Sequence, residues 1–164
     1  MKKYELTDET MKIGMTTLHR IKALAAFADV EIGDTGGWVE KESNLDQDGD
    51  AWVSGDAMVS GDAWVSGNAW VSDDKHYMVI GPIGPRDDSI TFTRDKKGGI
   101  FATVRCFYGS LPEFWEKVMK RHGNTVHAQA YLLAAQLAEL RIDTTHISDT
   151  QEEPTEGCEK GSVE

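Results

Sequence analysis

A six-residue repeat within residues 49–74 is the feature that most constrains how this chain can fold. The copies read VSGDAM, VSGDAW and VSGNAW, after the half copy GDAW and before the ending VSDD. A period of six fits neither an α-helix, with 3.6 residues per turn, nor one long strand, with a period of two. Each copy therefore predicts a short strand and then a corner at Gly-Asp or Gly-Asn, where a positive φ is tolerated.

Two architectures can use this repeat. In the first, three copies make one triangular coil, and neighbouring coils stack at strand spacing, about 4.8 Å apart. In the second, each Gly-Asp or Gly-Asn is a hairpin turn in a meander of four-residue strands. We favour the coil, because the meander would have minimal strands and one bare face. The alternation of side chains then predicts that Val and Ala point inwards, that Trp and Ser point outwards, and that Trp52 stacks on Trp70.

On these residues the chain resembles the hexapeptide-repeat, left-handed parallel β-helix proteins. More loosely, its layout is similar to small β-helix proteins encoded by phages and prophages, with an opening like residues 3–7, a Gly-Gly-Trp segment at 36–38 and a closing module like residues 81–109. The resemblance implies a mainly β fold with α elements: a short left-handed parallel β-helix with an N-terminal β cap and a C-terminal module of three strands and two helices. Some phage proteins of this size disarm host defences such as CRISPR.

The flanks of the repeat predict the domain organisation. We expect an N-terminal β cap with a degenerate first coil at 1–44, the hexapeptide-repeat β-helix at 45–74, an α+β module at 75–142 and a disordered acidic tail at 143–164. Residues 3–7 and 17–24 can pair as strands, and strands are predicted at 76–80, 89–93 and 100–104. A capping box at Ser110 and Glu113 starts one helix.

A second helix is predicted from about Thr125 to Ile142, because apolar residues recur there at helical spacing. They form a single packing seam, which can lie on the sheet, on the first helix or on another copy of the chain: Val126, Ala130, Leu133, Leu137 and Leu140.

The net charge of −11 is concentrated in two blocks. Residues 46–74 contain seven Asp and no Lys or Arg, and residues 143–164 contribute a further −6. This distribution argues against direct nucleic-acid binding, which needs a basic face, and fits a cationic partner. With no apolar run of membrane length, no secretion signal and two cysteines, we expect a cytoplasmic protein, in the host cytoplasm if it is phage-encoded.

These features predict a non-enzymatic binding protein that needs no cofactor. It would self-associate as a dimer or trimer. Its target would be a basic host defence protein that handles nucleic acid, and a CRISPR-type protein is the target we favour. Calcium between Asp56 and Asp74 is considered, but Asp is also a good corner residue, which we favour. The expected partner-binding residues are the outward aromatic and acidic side chains Trp52, Asp56, Asp62, Trp64, Trp70 and Asp74.

Three alternatives remain open. The loop at 81–88 could present backbone amides and the Arg86 fork to an anion, as in a small-ligand or nucleotide sponge. A hexapeptide-repeat acyltransferase would bind coenzyme A and use a His, but the repeat has none. The third alternative is a structural component of a phage. Separately, Cys106 is interpreted as a small core residue. The ligand-loop residues of the first alternative are Gly84, Arg86, Asp87 and Asp88.

Overall fold

An antiparallel hairpin opens the chain and continues into a mixed sheet. The computed structural model describes residues 1–145. Strands β1 (Tyr4–Ile13) and β2 (Thr16–Ala23) are antiparallel, and β3 (Thr35–Val39) adds to β2, also antiparallel. The register pairs Tyr4 with Ala23, so the predicted pairing of residues 3–7 with 17–24 is confirmed.

The hexapeptide segment, residues 49–74, forms three very short strands. They are β4 (Trp52–Val53), β5 (Met58–Val59) and β6 (Trp70–Val71). Trp52 pairs with Trp70 in a two-stranded parallel sheet, as predicted, and β5 adds parallel to β3. Between the strands the chain turns at glycines with positive φ, such as Gly61 at 65°. The inward position of Val and Ala is confirmed, because the side chains of all eight are buried: Ala51, Val53, Ala57, Val59, Ala63, Val65, Ala69 and Val71.

The expected fold class, a short left-handed parallel β-helix, is wrong. Residues 1–145 form a mixed sheet, an antiparallel sheet, a two-stranded parallel sheet and two α-helices, and no parallel β-helix solenoid occurs in that range. The repeat is too short to propagate one. Each copy gives two strand residues at most, and the neighbour of β5 is β3, whose other edge is already bonded to an antiparallel hairpin. The order in the mixed sheet is β1-β2-β3-β5.

The C-terminal module, residues 77–142, is an antiparallel meander covered by two helices. Strands β7 (Tyr77–Ile83), β8 (Asp88–Arg94), β9 (Ile100–Val104) and β10 (Phe107–Ser110) lie in chain order. Helices α1 (Leu111–His122) and α2 (Val126–Arg141) follow. The three predicted strands, both helices and the capping box are confirmed, with Ser110 N donating to Glu113 Oε2 at 2.7 Å; strand β10 was missed.

Helix α2 packs through alanines rather than through the predicted seam. Its buried residues are Ala128, Tyr131, Ala134, Ala135 and Ala138. Because alanine side chains are small, they let the helix lie close to α1 and the sheet. The seam therefore lies on neither of them, and four of its five side chains are exposed.

Direct hydrogen bonds join the hexapeptide segment to the C-terminal module. Trp64 N donates to Thr91 Oγ1 at 3.0 Å, and Asn68 N donates to Tyr108 Oη at 3.1 Å. The predicted acidic tail lies outside the described residues except for 143–145. Those three are held by buried Arg94, whose Nη1 donates to the carbonyls of Asp143 and Thr145. Within residues 1–145, neither helix has the length and apolar character needed to cross a membrane.

Candidate functional site

A cavity of about 670 Å³ opens in the C-terminal module, between one end of the sheet and the two helices. The loop between β7 and β8, the turn between β9 and β10, one face of α1 and one side chain of α2 surround it. Its volume lies within the range of small-molecule sites. The lining residues that carry the argument are Arg86, Arg105, Phe107, Phe114, Lys117 and Arg121.

The cavity is basic, although the chain is acidic. Arg86, Arg105, Lys117 and Arg121 line it, and Asp88 is the one carboxylate that residues 1–145 contribute to its lining. Arg105 Nε lies 3.2 Å from Asp88 Oδ1. Arginine guanidinium groups bind carboxylates and phosphates through paired hydrogen bonds, so a cluster of this kind favours an anionic ligand.

Aromatic rings form the apolar part of the cavity wall. The Phe107 and Phe114 ring centres are 5.8 Å apart, and Phe114 meets Tyr131 edge to face at the same distance. Lys117 Nζ lies 5.9 Å from the centre of the Phe107 ring. A ligand with a planar or apolar portion can contact these rings while its charge meets the cations.

Helical spacing brings the basic and apolar residues of α1 to one face. Phe114, Lys117, Val118 and Arg121 follow at intervals of three, one and three residues, so they occupy neighbouring positions around the helix. Phe114 and Val118 are buried against the sheet, and Lys117 and Arg121 extend from the rim of the same face.

The β9–β10 turn carries a residue in an unusual backbone conformation. Val104 pairs with Phe107, which leaves Arg105 and Cys106 as a two-residue turn. Arg105 has a φ of 52°, in the left-handed region that favours glycine. Tight two-residue hairpin turns commonly require a positive φ, and both side chains of this turn line the cavity.

The predicted ligand loop, residues 81–88, lies at the cavity, but its residues differ in role. Arg86 and Asp88 line it. Gly84 instead makes room for Tyr131, since an added Cβ would lie 1.9 Å from Tyr131 Oη. Asp87 is a turn residue with a φ of 52° and is not among the lining residues. Burial, followed by the Asp88 carboxylate, raises the pKa of the Tyr131 hydroxyl above its usual value.

Sequence reasoning missed most of the basic residues. Lys117 and Arg121 stand four apart, which places them on one helix face, and this signal was available. The role of Arg105 could not be predicted. The direction of its side chain depends on the left-handed backbone of the turn, which local sequence patterns do not reveal. The interpretation of Cys106 as a core residue is wrong: it is exposed at the turn and lines the cavity.

The expected partner-binding surface is not one continuous surface. Trp52 is only 2% exposed and lies under the N-terminal region, with ring centres 5.4 Å from Phe27 and 6.5 Å from Tyr4. Trp70 is half-buried, with Lys96 Nζ 3.8 Å from its ring centre.

The exposed aspartates of that surface make different contacts. Asp56 lies 3.7 Å from Arg20, and Asp74 accepts a hydrogen bond from Met58 N at 2.9 Å. Within residues 1–145 no three metal-binding side chains cluster, so the structure offers no calcium site built on Asp56 and Asp74.

Trp64 and Asp62 remain together at an exposed groove. Trp64 is 36% exposed, and both residues line a second cavity of about 630 Å³. Glu42 and Asp46 border it from the preceding part of the chain, opposed by Lys41. This groove is acidic and carries an accessible indole, which are features of a site for a cationic partner.

The comparisons with known proteins add no assignment to either cavity. The basic cavity combines four cations, aromatic rings and a turn with a positive φ, whereas the acidic groove offers three carboxylates and one exposed indole. Their interpretation therefore depends on this geometry. No known protein-family model matches this chain, and no curated protein matches it.

Proposed function

We propose that this protein binds a small organic anion that carries phosphate and a planar group, such as a nucleotide, in the basic cavity. The observation that carries the proposal is the convergence of four cations around aromatic rings in a chain whose net charge is −11. A protein that binds such a molecule without turning it over acts as a sponge, lowering its free concentration.

Phosphate is the anion that best fits the cations. Three of the four are arginines, whose planar forks match phosphate oxygens, and they come from three separate elements around the cavity. Asp88 holds Arg105 in place through their 3.2 Å contact, which reduces the side-chain entropy lost when a ligand binds. Each charge-assisted hydrogen bond is worth about 1.5–3 kcal/mol, so two or three account for micromolar affinity when the rings contribute as well.

A planar group accounts for the rest of the cavity. The edges and faces of Phe107 and Phe114 offer an apolar surface beside the cations. A nucleobase can stack on such a ring, and a guanidinium or ammonium group can hold the phosphate at the same time. Free inorganic phosphate would use only half of these contacts.

Calorimetry with three probes tests this proposal. Adenosine 5′-monophosphate, inorganic phosphate and adenosine are each titrated into the full chain. We expect the nucleotide to bind most tightly and its affinity to fall as salt rises. Arg121→Ala should lower nucleotide affinity roughly 10–100-fold, because one charge-assisted contact is lost.

Lys120→Ala is the matched control. Lys120 also lies in the last turn of α1, so both variants remove one helix-stabilising cation, but Lys120 does not line the cavity. It should bind the nucleotide like the wild type. The proposal is overturned if adenosine 5′-monophosphate does not bind at millimolar concentration, or if Arg121→Ala binds it as tightly as Lys120→Ala.

A second candidate function rests on the acidic groove at Trp64. An exposed indole beside Asp62, Glu42 and Asp46 fits a Lys- or Arg-rich segment of another protein. This arrangement supports a reduced form of the inhibitor hypothesis, in which the groove occupies a basic surface of a nucleic-acid-handling host defence protein of the CRISPR type.

A labelled Lys/Arg-rich peptide tests the groove by fluorescence anisotropy. Trp64→Ala and Asp62→Asn should each weaken peptide binding, and added salt should weaken it further. Asp48→Asn removes a carboxylate that does not line the groove and serves as the control. Equal binding by all three variants would remove this candidate.

A further inference from the structure

Helix α2 is apolar on two opposite faces, and residues 1–145 cover only one of them. The covered face carries the alanines and Tyr131 described above. The other face, the α2 stripe, consists of Val126, Ala130, Leu133, Leu137 and Leu140. Its four larger side chains are 74%, 65%, 45% and 85% exposed, in chain order. A helix that is apolar all round is normally buried all round.

The spacing of the α2 stripe is that of a helix-pairing seam. Its residues follow at intervals of four, three, four and three, which is the a/d pattern of a heptad repeat. They extend over two heptads, or about 21 Å of helix. The same spacing could have served packing within the chain, but the sheet and α1 contact the alanine face instead.

The exposed area of the α2 stripe is large enough for a contact with another protein. Its exposed aliphatic surface is on the order of 400 Å², at the level where a patch on a soluble protein marks an interaction site. Two such patches facing each other approach the total of about 1,000 Å² that separates specific interfaces from chance contacts, once the flanking side chains are included.

Charge favours a second copy of the chain as the occupant. Two molecules of net charge −11 repel each other over most of their surfaces, so a contact between them is favoured where carboxylates are few. Glu139 is the only carboxylate on α2, and Gln129 and Gln136 flank the stripe. The chain after Thr145 is a poor cover, because Ile147 and Val163 are its only aliphatic residues.

We propose that the α2 stripe is a homodimer interface, in which α2 of one copy packs along α2 of the other. Leu133 and Leu137, in the middle of the stripe, are the central contacts. The interface is separate from both cavities, because no stripe residue lines either of them. It therefore stands or fails independently of the proposed ligand.

Sedimentation equilibrium of the full chain, over protein concentrations from low micromolar to about 100 µM, tests this proposal. The wild type should dimerise. Leu133→Glu combined with Leu137→Glu should raise the dissociation constant roughly a hundredfold or more, because it places four carboxylates in the centre of the interface.

The matched control is Met15→Glu combined with Ile32→Glu. These residues are also exposed and apolar but lie in the N-terminal half, so the control adds the same charge without touching the stripe. It should dimerise like the wild type. Circular dichroism should show both double variants folded, since all four replaced side chains face solvent in the single copy.

A cross-link supplies a second readout. In a Cys106→Ser, Cys158→Ser background, Leu133→Cys should give a disulfide-linked dimer on mild oxidation, whereas Met15→Cys should not. A wild type that stays monomeric at 100 µM overturns the proposal, as does a dimer that persists in the Leu133→Glu, Leu137→Glu variant.

Discussion

The hexapeptide segment and the C-terminal module place opposite kinds of side chain at the surface. In the segment, Val and Ala fill the interior while Asp side chains face solvent, so the exposed charge is negative. In the module, alanines fill part of the helix–sheet interface, while cations line a cavity and leucines stay exposed on α2. The basic cavity and the α2 stripe, which carry two of our three proposals, thus lie in the region without a repeat.

The two regions differ in what holds their aromatic rings. Phe114 contacts three other rings within its own module: Phe92, Phe107 and Tyr131. Trp52 belongs to the segment but contacts Tyr4 and Phe27 of the N-terminal region. A short repeat of small residues encloses too little volume for an indole, so its Trp side chains depend on neighbours from outside the repeat.

The largest effect is expected when this dependence is broken. Trp52 and Trp64 follow Ala at the same place in the repeat, but the first is buried and the second is exposed. Trp52→Ala should lower the free energy of unfolding by about 3–5 kcal/mol, because it leaves a cavity against Tyr4 and Phe27. Trp64→Ala should cost less, because Trp64 is already 36% exposed. Chemical denaturation measures both, and equal losses would contradict the burial of Trp52.

Trp52 and Trp64 show which features of the hexapeptide segment could be predicted from the sequence and which could not. The period identified the corners and the inward Val and Ala, because both follow from local spacing. It could not distinguish Trp52 from Trp64, since their difference comes from Tyr4 and Phe27, which are distant in sequence. The period also led to the wrong fold class. It predicts where the chain turns, but it does not predict how many successive coils pair with one another.

The C-terminal module was predicted well at the level of elements and poorly at the level of its site. Strand and helix positions follow from local patterns such as the capping box at Ser110. The apolar seam of α2 suggested a buried face, yet the structure buries Ala134 and Ala138 instead. A leucine stripe and an alanine stripe on one helix compete for the same core, and local spacing does not decide between them. The basic cavity arises only when three elements converge.

A smaller effect is expected at the β9–β10 turn, where binding and stability oppose each other. Arg105→Gly removes the cost of a left-handed conformation in a non-glycine residue, about 1–2 kcal/mol. Thermal melting should therefore show a midpoint raised by a few degrees. Nucleotide affinity should fall about tenfold in the calorimetric titration, because the guanidinium is lost.

Arg86→Gly is the comparison variant for this turn. It also removes one cavity cation, but Arg86 has no positive φ, so the melting midpoint should not rise. If both variants raise the midpoint equally, the gain comes from reduced charge repulsion in the cavity rather than from relief of strain at Arg105.

The smallest effect concerns the joint between the two regions, where buried His76 connects the segment to β7. Its Nδ1 accepts a hydrogen bond from Ser72 N at 3.1 Å, which requires that nitrogen to be unprotonated. Burial, followed by the charge of Arg94, lowers the pKa of His76 below its usual 6.5, while Asp73 and Asp143 partly oppose this.

Because the pKa of His76 is lower in the folded state, the unfolded state binds the proton first as pH falls. The stability from neutral His76 is therefore fully present above about pH 6.5 and is lost as pH falls from there through the folded-state pKa. Melting midpoints measured from pH 8 to pH 5 should decline in the wild type and in His122→Gln, which changes a histidine of the basic cavity. The decline should be shallower in His76→Gln, whose amide oxygen can still accept from Ser72 N. A wild-type slope unchanged in His76→Gln would show that the two regions are joined without any contribution from this imidazole.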